Sequence, residues 1–257
     1  MRILIVGDVI GKNGTQFVSK HLKSLKKLNG IDFCIVNGEN SANGNGITKE
    51  SADALIDAGA DVITLGNHAF NKPDVTLLFE SGYPIVRPLN YPTGTAGEGY
   101  ILLDVGNHTV GVINALGRIN MECIDCPFRG IDRVLSKIKN KANIIIVDFH
   151  AEATSEKIAM GYYLDGRVSA VVGTHTHVQT ADERILSGST AYITDVGMTG
   201  PIDSVIGVKK EIIIKKFVTR LHQKFELSEN PISLWGVIIG VDENTGKAFS
   251  IERINIS

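Results

Sequence analysis

Apolar residues recur along this chain in strand-length runs, and five of those runs end on residues able to bind a cation. Residues 3–7 lead into Asp8, 33–38 into Glu39 and Asn40, 62–66 into Asn67 and His68, 144–149 into His150, and 170–174 into His175 and His177. Between the runs the period of the apolar positions changes from that of a strand to that of a helix. Phe17, Val18, Leu22, Leu25 and Leu28 keep one helical face, and Ala52, Leu55 and Ile56 keep another after Thr48, a predicted N-cap, with Gly59 as the stop. Pro73 opens a helix carrying Val75, Leu78 and Phe79, and Ile131, Val134, Leu135 and Ile138 mark one more. Strands alternating with helices predict a parallel sheet with crossover helices.

The rhythm breaks twice. Residues 100–114 read as two strands around a Gly106-Asn107 turn. Strand-like runs also fall near 217–227, 232–242 and 248–256, with 243–246 as the turn between the last two. These antiparallel additions predict a second sheet packed on the first. The expected architecture is α/β, a two-sheet α/β sandwich with flanking helices, as a single domain over residues 1–257. Residues 115–130 and 199–208 are the predicted long loops, placed to reach over a pocket.

With 43% hydrophobic residues and a formal net charge of −2, the chain does not resemble a nucleic-acid coat or a membrane-surface binder. No stable nucleic-acid complex is expected. A small nucleotide remains compatible, because a local metal site supplies the positive field. No run approaches the ~20 apolar residues of a membrane span, and the first run is too short for the core of a signal peptide. The three cysteines, Cys34, Cys123 and Cys126, are few and odd in number, which suits a reducing compartment; the cytoplasm is the expected location. Cys34 reads as a core residue. Cys123 and Cys126 form a C-x-x-C with no second pair, and read as structural rather than as a zinc site. Homo-oligomerisation is left open.

Ligands of open α/β folds collect at the carboxyl ends of strands. Oxygen and imidazole donors at five such ends therefore predict one pocket with room for two metal ions. The turn after the first strand does not fit G-x-G-x-x-G, and Asp8 would set a carboxylate against a pyrophosphate, so Asp8 reads as a metal ligand rather than a turn cap. Glu39, directly after a strand, can bridge two cations, and Asn40 can add an amide oxygen or contact a phosphate. Asn67 and His68 are adjacent and point to different sides. Asn67 is the expected ligand and His68 the expected general acid beside the metals. Asp148 shares a side with His150 and is a ligand or a support for it. His175 and His177 form an H-x-H at a strand end, whereas His21, His108 and His222 read as surface or packing residues.

The ordered set Asp8, Gly38-Glu39-Asn40, Gly66-Asn67-His68, His150 and Thr174-His175-Thr176-His177 resembles the calcineurin-like metallophosphoesterases. More narrowly it resembles their YmdB-like branch of bacterial cyclic-nucleotide phosphodiesterases. The longer strings 36–40, 148–157, 171–182 and 194–201 carry the narrower likeness, which covers essentially the whole chain. Ile10 stands where the broad superfamily usually has a histidine, and Glu39 where it has an aspartate; both fit the narrower branch. Ala69, Phe70-Asn71 and Thr174 depart from the usual pattern. The resemblance implies two metal ions, iron or manganese, with magnesium a further fit. It places Asp8, Glu39, Asn40 and His177 on one, and Glu39, Asn67, His150 and His175 on the other. It implies hydrolysis of 2′,3′-cyclic nucleotides, with 3′,5′-cyclic nucleotides in range, by a metal-bridging hydroxide, while His68 protonates the departing ribose oxygen. Two alternatives stand beside this one: a nuclease or phosphatase acting on another phosphoester, and a regulator that keeps the metal site and binds RNA or protein. Arg118, Glu152, Thr154 and Asp195 are left without a role.

Overall fold

Alternation along the first strand sorts its side chains between two cores. In the computed structural model, which describes residues 1–229 and 231–257, Ile3 and Ile5 face one core while Leu4 and Val6 face another. The chain runs β1 (Arg2–Val6), β2 (Asp8–Val9), α1 (Gly11–Leu28), β3 (Phe33–Asn37), α2 (Lys49–Asp57), β4 (Val62–Thr64), α3 (Asp74–Glu80) and β5 (Ile85–Val86). It continues through β6 (Tyr100–Val105), β7 (His108–Leu116), α4 (Pro127–Ile138), β8 (Ile144–His150), α5 (Thr154–Leu164), β9 (Ala170–Thr174), β10 (Arg184–Ile185) and β11 (Ala191–Ile193). The last elements are β12 (Met198–Pro201), α6 (Lys210–Thr219), β13 (Ile232–Val241) and β14 (Ala248–Ile256).

The strands form two sheets, as the sequence predicts. One is ordered β2-β12-β13-β1-β3-β4-β5, with β14 also paired to β13; the other is ordered β10-β11-β9-β8-β7-β6. Their facing side chains, among them Ile3, Ile35 and Val237 from the first and Val112, Ile146 and Val172 from the second, make the central core. Helices α1–α3 cover the outer face of the first sheet through Val18, Leu22, Leu55 and Leu78. Helices α4 and α5 cover the second through Ile131, Leu135, Met160 and Leu164. The result is a four-layer α/β/β/α sandwich.

Several local readings match. Thr48 caps α2 in a reciprocal pair with Ser51, and Gly59 follows its end at φ 111°. Gly106, at φ 61°, turns the β6–β7 hairpin. Others need correction. The second sheet is not built of antiparallel additions alone, since β7, β8, β9 and β11 run parallel in it, while β13 and β14 join the first sheet. Residues 217–227 are not a strand: α6 carries the chain to Thr219, Arg220 closes it in the left-handed region, and only Leu227 makes an isolated bridge. The apolar alternation there has no sheet edge beside it to satisfy its backbone. Leu28, expected on the inner face of α1, lies in its last turn and is 84% exposed. The expected loop at 115–130 is shorter, because β7 extends to Leu116 and α4 begins at Pro127.

These burial differences set stability. Ile35→Ala, in the central core, is expected to lower the unfolding free energy by about 2–5 kcal/mol. Leu28→Ala should stay within about 0.5 kcal/mol of the parent. Urea denaturation of the two variants, with slopes matching the parent, checks both.

Candidate metal centre

The five strand ends converge because both sheets end their parallel strands on one edge. Asp8, Glu39, Asn40 and Asn67 come from the β1, β3 and β4 ends of the first sheet; His150, His175 and His177 come from the β8 and β9 ends of the second. Glu39 sits where they meet. Its Oε1 lies 3.1 Å from His150 Nε2 and accepts from Asn40 Nδ2 at 3.2 Å, while its Oε2 accepts from the His68 backbone N–H at 3.0 Å. Asn67 Oδ1 and His175 Nδ1 stand 3.1 and 3.0 Å from the same His150 nitrogen. On the other side Asn40 Nδ2 is 3.5 Å from Asp8 Oδ1 and 3.3 Å from His177 Nε2, which is 3.7 Å from Asp8 Oδ1. All seven expected ligands are thus brought together. Gly66, just before Asn67, leaves the room: a Cβ there would overlap Glu39 Oε2 and the His150 ring.

The outer nitrogen of each imidazole has its own acceptor. His150 Nδ1 lies 2.8 Å from Thr174 Oγ1, whose hydroxyl donates to Asp148 Oδ1 at 2.7 Å. With its proton committed to a carboxylate, Thr174 can only accept from His150. His177 Nδ1 donates to Ile206 O at 3.0 Å, so the expected 199–208 loop does reach the site, although it is shorter than expected because β12 takes up residues 199–201. His175 Nε2 pairs with Glu152 Oε2 at 3.2 Å. In its neutral form each ring therefore turns its remaining lone pair inward, the tautomer a cation-binding histidine needs. Asp148 is a support rather than a ligand, for it also accepts from Thr64 and Asn37 beneath the cluster.

Electrostatics describe the same need. Burial pushes the Asp8 carboxyl up to about 6 against the pull of His177 and His150. Burial works on Glu39 too, but His150 and the donors from His68 outweigh it and hold the carboxylate down at about 2. Burial would lower His150, yet Glu39 and the acids around it raise it to about 9; burial and the neighbouring His150 push His175 down to about 3. A proton on His150 Nε2 can serve one of the three acceptors at 3.0–3.1 Å from it, whereas a cation can serve all three. The residues fit oxygen- and nitrogen-preferring divalent ions, and no cysteine enters the cluster of Glu39, His150 and His175. Asn40 as it stands turns Nδ2 to the cluster and Oδ1 to His68 Nδ1 at 2.8 Å. A half-turn of that amide would bring its oxygen to the cluster and present an N–H that only an unprotonated His68 Nδ1 can accept.

The remaining candidates fall outside. Cys34 is buried in the helix-side core; Cys123 and Cys126 are free thiols, exposed and half-buried respectively. His21 stacks on Phe17 and His108 pairs with Glu243. The sequence left Thr174, Glu152 and the Ile206 carbonyl unassigned as orienting partners. An acceptor two residues after His150 was the one visible hint, in Glu152.

Known proteins resemble this chain over nearly its whole length. The 2′,3′-cyclic-nucleotide 2′-phosphodiesterase of Bacillus subtilis (strain 168) is 47% identical over 257 residues, spanning 100% of this chain and 97% of that protein. A solved hypothetical protein from Thermus thermophilus superposes with a TM-score of 0.94 at 42% identity, covering 99% of this chain and 98% of its own. A solved phosphatase from Mycoplasma pneumoniae superposes with a TM-score of 0.93 at 37% identity, covering 100% and 93%. Residues 4–254 match the family described as YmdB-like protein, and this chain belongs to that family.

Proposed function

We propose that the chain is a metal-dependent phosphodiesterase acting on 2′,3′-cyclic nucleotides, with 3′,5′-cyclic nucleotides as further substrates. The observation that carries the reading is the inward lone pairs of three separately oriented imidazoles around a buried, shared Glu39. The B. subtilis relative's named activity supplies the substrate class. Asp8, Glu39, Asn40 and His177 would hold one divalent ion, iron, manganese or magnesium; Glu39, Asn67, His150 and His175 would hold the other. When bound, such ions supply Lewis acidity that lowers the pKa of water and neutralises charge on phosphoryl oxygens.

The chain's own residues do the rest. His68 lies beside the cluster on Asn40, with its side chain 34% exposed, and its Nε2 has no partner among the described residues. That nitrogen is free to face substrate, and Nδ1 of the protonated ring donates to Asn40 Oδ1 at 2.8 Å. A protonated His68 donates from Nε2 to the ribose oxygen as the P–O bond breaks, and the hydroxyl leaves neutral. Glu39, shared by both halves, holds His68 through its backbone N–H and so fixes the acid relative to the phosphorus. No helix among the described residues is long and apolar enough to cross a membrane.

Purified protein given manganese should hydrolyse 2′,3′-cyclic AMP, lose the activity on chelation, and show none as Asp8→Ala. Absence of turnover by folded, metal-loaded parent protein would sink the assignment. His68→Ala should slow 2′,3′-cyclic AMP by about 10²–10⁴-fold. A nitrophenyl phosphodiester, whose leaving group needs no proton, should be slowed far less. Equal losses on both substrates would remove His68 from the general-acid role.

A further inference from the structure

An ion pair as deeply buried as His150–Glu39 stands one layer behind the H-x-H turn. Lys157 of α5 and Asp195, two residues past β11, are 1% and 0% exposed, with Nζ 2.7 Å from Oδ2. The same Oδ2 accepts from the Thr176 backbone N–H at 3.0 Å and from its hydroxyl at 2.8 Å, while Oδ1 accepts from the Gly197 N–H at 2.8 Å. Thr176 is the residue between the two histidines. His175 and His177 on either side of it have φ of 102° and 64°, a region that residues with a Cβ enter only under restraint. The lysine stem reaches the pair across β9 at Gly173, where a Cβ would lie 3.0 Å from Lys157 Cδ and overlap Thr194 O.

We propose that the Lys157–Asp195 pair is the positioning device for both histidines of the turn, acting through Thr176; the inference rests on the metal-centre reading above. Asp195 grips Thr176 twice, and Lys157 holds the Asp195 carboxylate aimed at the turn. The next backbone N–H toward the N-terminus, that of His175, is held by Asp8 Oδ2 at 3.2 Å, so two successive amides are pinned to two different carboxylates. One clamp thereby sets a ring in each half of the cluster, since His175 meets His150 and His177 meets Asp8. Neither Lys157 nor Asp195 is among the seven proposed ligands; Asp195 meets the turn at Thr176.

The test uses cobalt(II) as the probe, because its visible absorption reports coordination without turnover. Full-length parent protein, Asp195→Asn, Thr176→Val and Thr176→Ser are titrated with cobalt(II), with circular dichroism and melting recorded alongside. Thr176→Ser keeps both bonds to Asp195 and should match the parent spectrum and affinity. Thr176→Val loses the hydroxyl bond, and Asp195→Asn loses the charge. Both should bind cobalt(II) about 10- to 100-fold more weakly with an altered spectrum. If either folded variant keeps the parent spectrum and affinity while only its melting temperature falls, the pair is a structural brace and the proposal is overturned. Should Asp195→Asn fail to fold, the valine–serine contrast at Thr176 decides alone. Parent protein that takes up no cobalt(II) overturns the metal-centre reading, and with it this one; a bound metal without phosphodiesterase activity leaves the clamp standing and removes only the substrate assignment.

Discussion

Negative charge buried at one end of the sandwich is the constraint on which the rest of the structure turns. Asp8, Glu39, Asp148 and Asp195 are all exposed by 1% or less, and one fully buried ammonium, Lys157, lies among them. An unpaired carboxylate in such surroundings costs several kcal/mol. Asp195 is matched by Lys157, and Asp148 by donors from Thr64, Thr174 and Asn37. Glu39 draws on His150 and the His68 N–H. Asp8 is the least compensated, with the His175 N–H at 3.2 Å, Asn40 Nδ2 at 3.5 Å and His177 at 3.7 Å, and burial raises its carboxyl to about 6. The surplus of negative charge and lone pairs thus accumulates on the Asp8–Glu39 line, where a divalent ion is stabilised most. The orienting bonds of the three imidazoles follow the same logic of charge, for each outer N–H is given to an acceptor and each inner lone pair is left for a cation.

Much of this was legible in the sequence because strand ends are written in it twice, once in the apolar run and once in the residue that stops it. Asp8, Glu39, Asn67, His150 and His175 each follow a buried strand whose interior is nearly all aliphatic, and such runs belong to strands covered on both faces. What the pattern does not carry is which sheet a strand joins. The β1, β3 and β4 runs look the same as the β8 and β9 runs, yet they lie in different layers. That partition turns a row of ligands along one sheet edge into a two-sided cleft, with carboxylate and amide donors from one wall and imidazoles from the other. The error at 217–227 has a related cause. Leu221, Phe225 and Leu227 alternate as a strand would, but pairing needs a free edge, and the sequence does not say where edges are.

The supporting groups were the least legible. Thr174 is the partner of His150 although 24 residues separate them, and Asp195 holds Thr176 across 19 residues. Their residue types are common in turns and caps, so composition marks none of them. Lys157 is harder still, because a lysine on a helix ordinarily points to solvent. Only the fold places its stem over Gly173 and its ammonium against a buried acid. The proposed ligands announce themselves by type and place; their supports are defined only by distance.

Ile10 shows how a substitution at the cluster's edge can be absorbed by those supports. A histidine is usual two residues after the first aspartate in the broad superfamily, and Ile10 cannot replace it as a donor. It is 2% exposed and packs under the 199–208 loop, where a Cβ at Gly200 would lie 2.9 Å from its Cβ and one at Gly207 3.0 Å from its Cγ2. That loop carries Ile206, whose carbonyl takes the Nδ1 proton of His177. The apolar side chain therefore exchanges one imidazole for a fixed floor beneath the loop that orients another. It also leaves the two halves unequal: Asp8, Asn40 and His177 on one side of Glu39, Asn67, His150 and His175 on the other. The first set has one nitrogen and a full carboxylate charge, and favours a harder ion. The second has two nitrogens and a neutral amide, and favours a softer one. On the proposed reading, the asymmetry between the two ligand sets follows from a packing residue that belongs to neither.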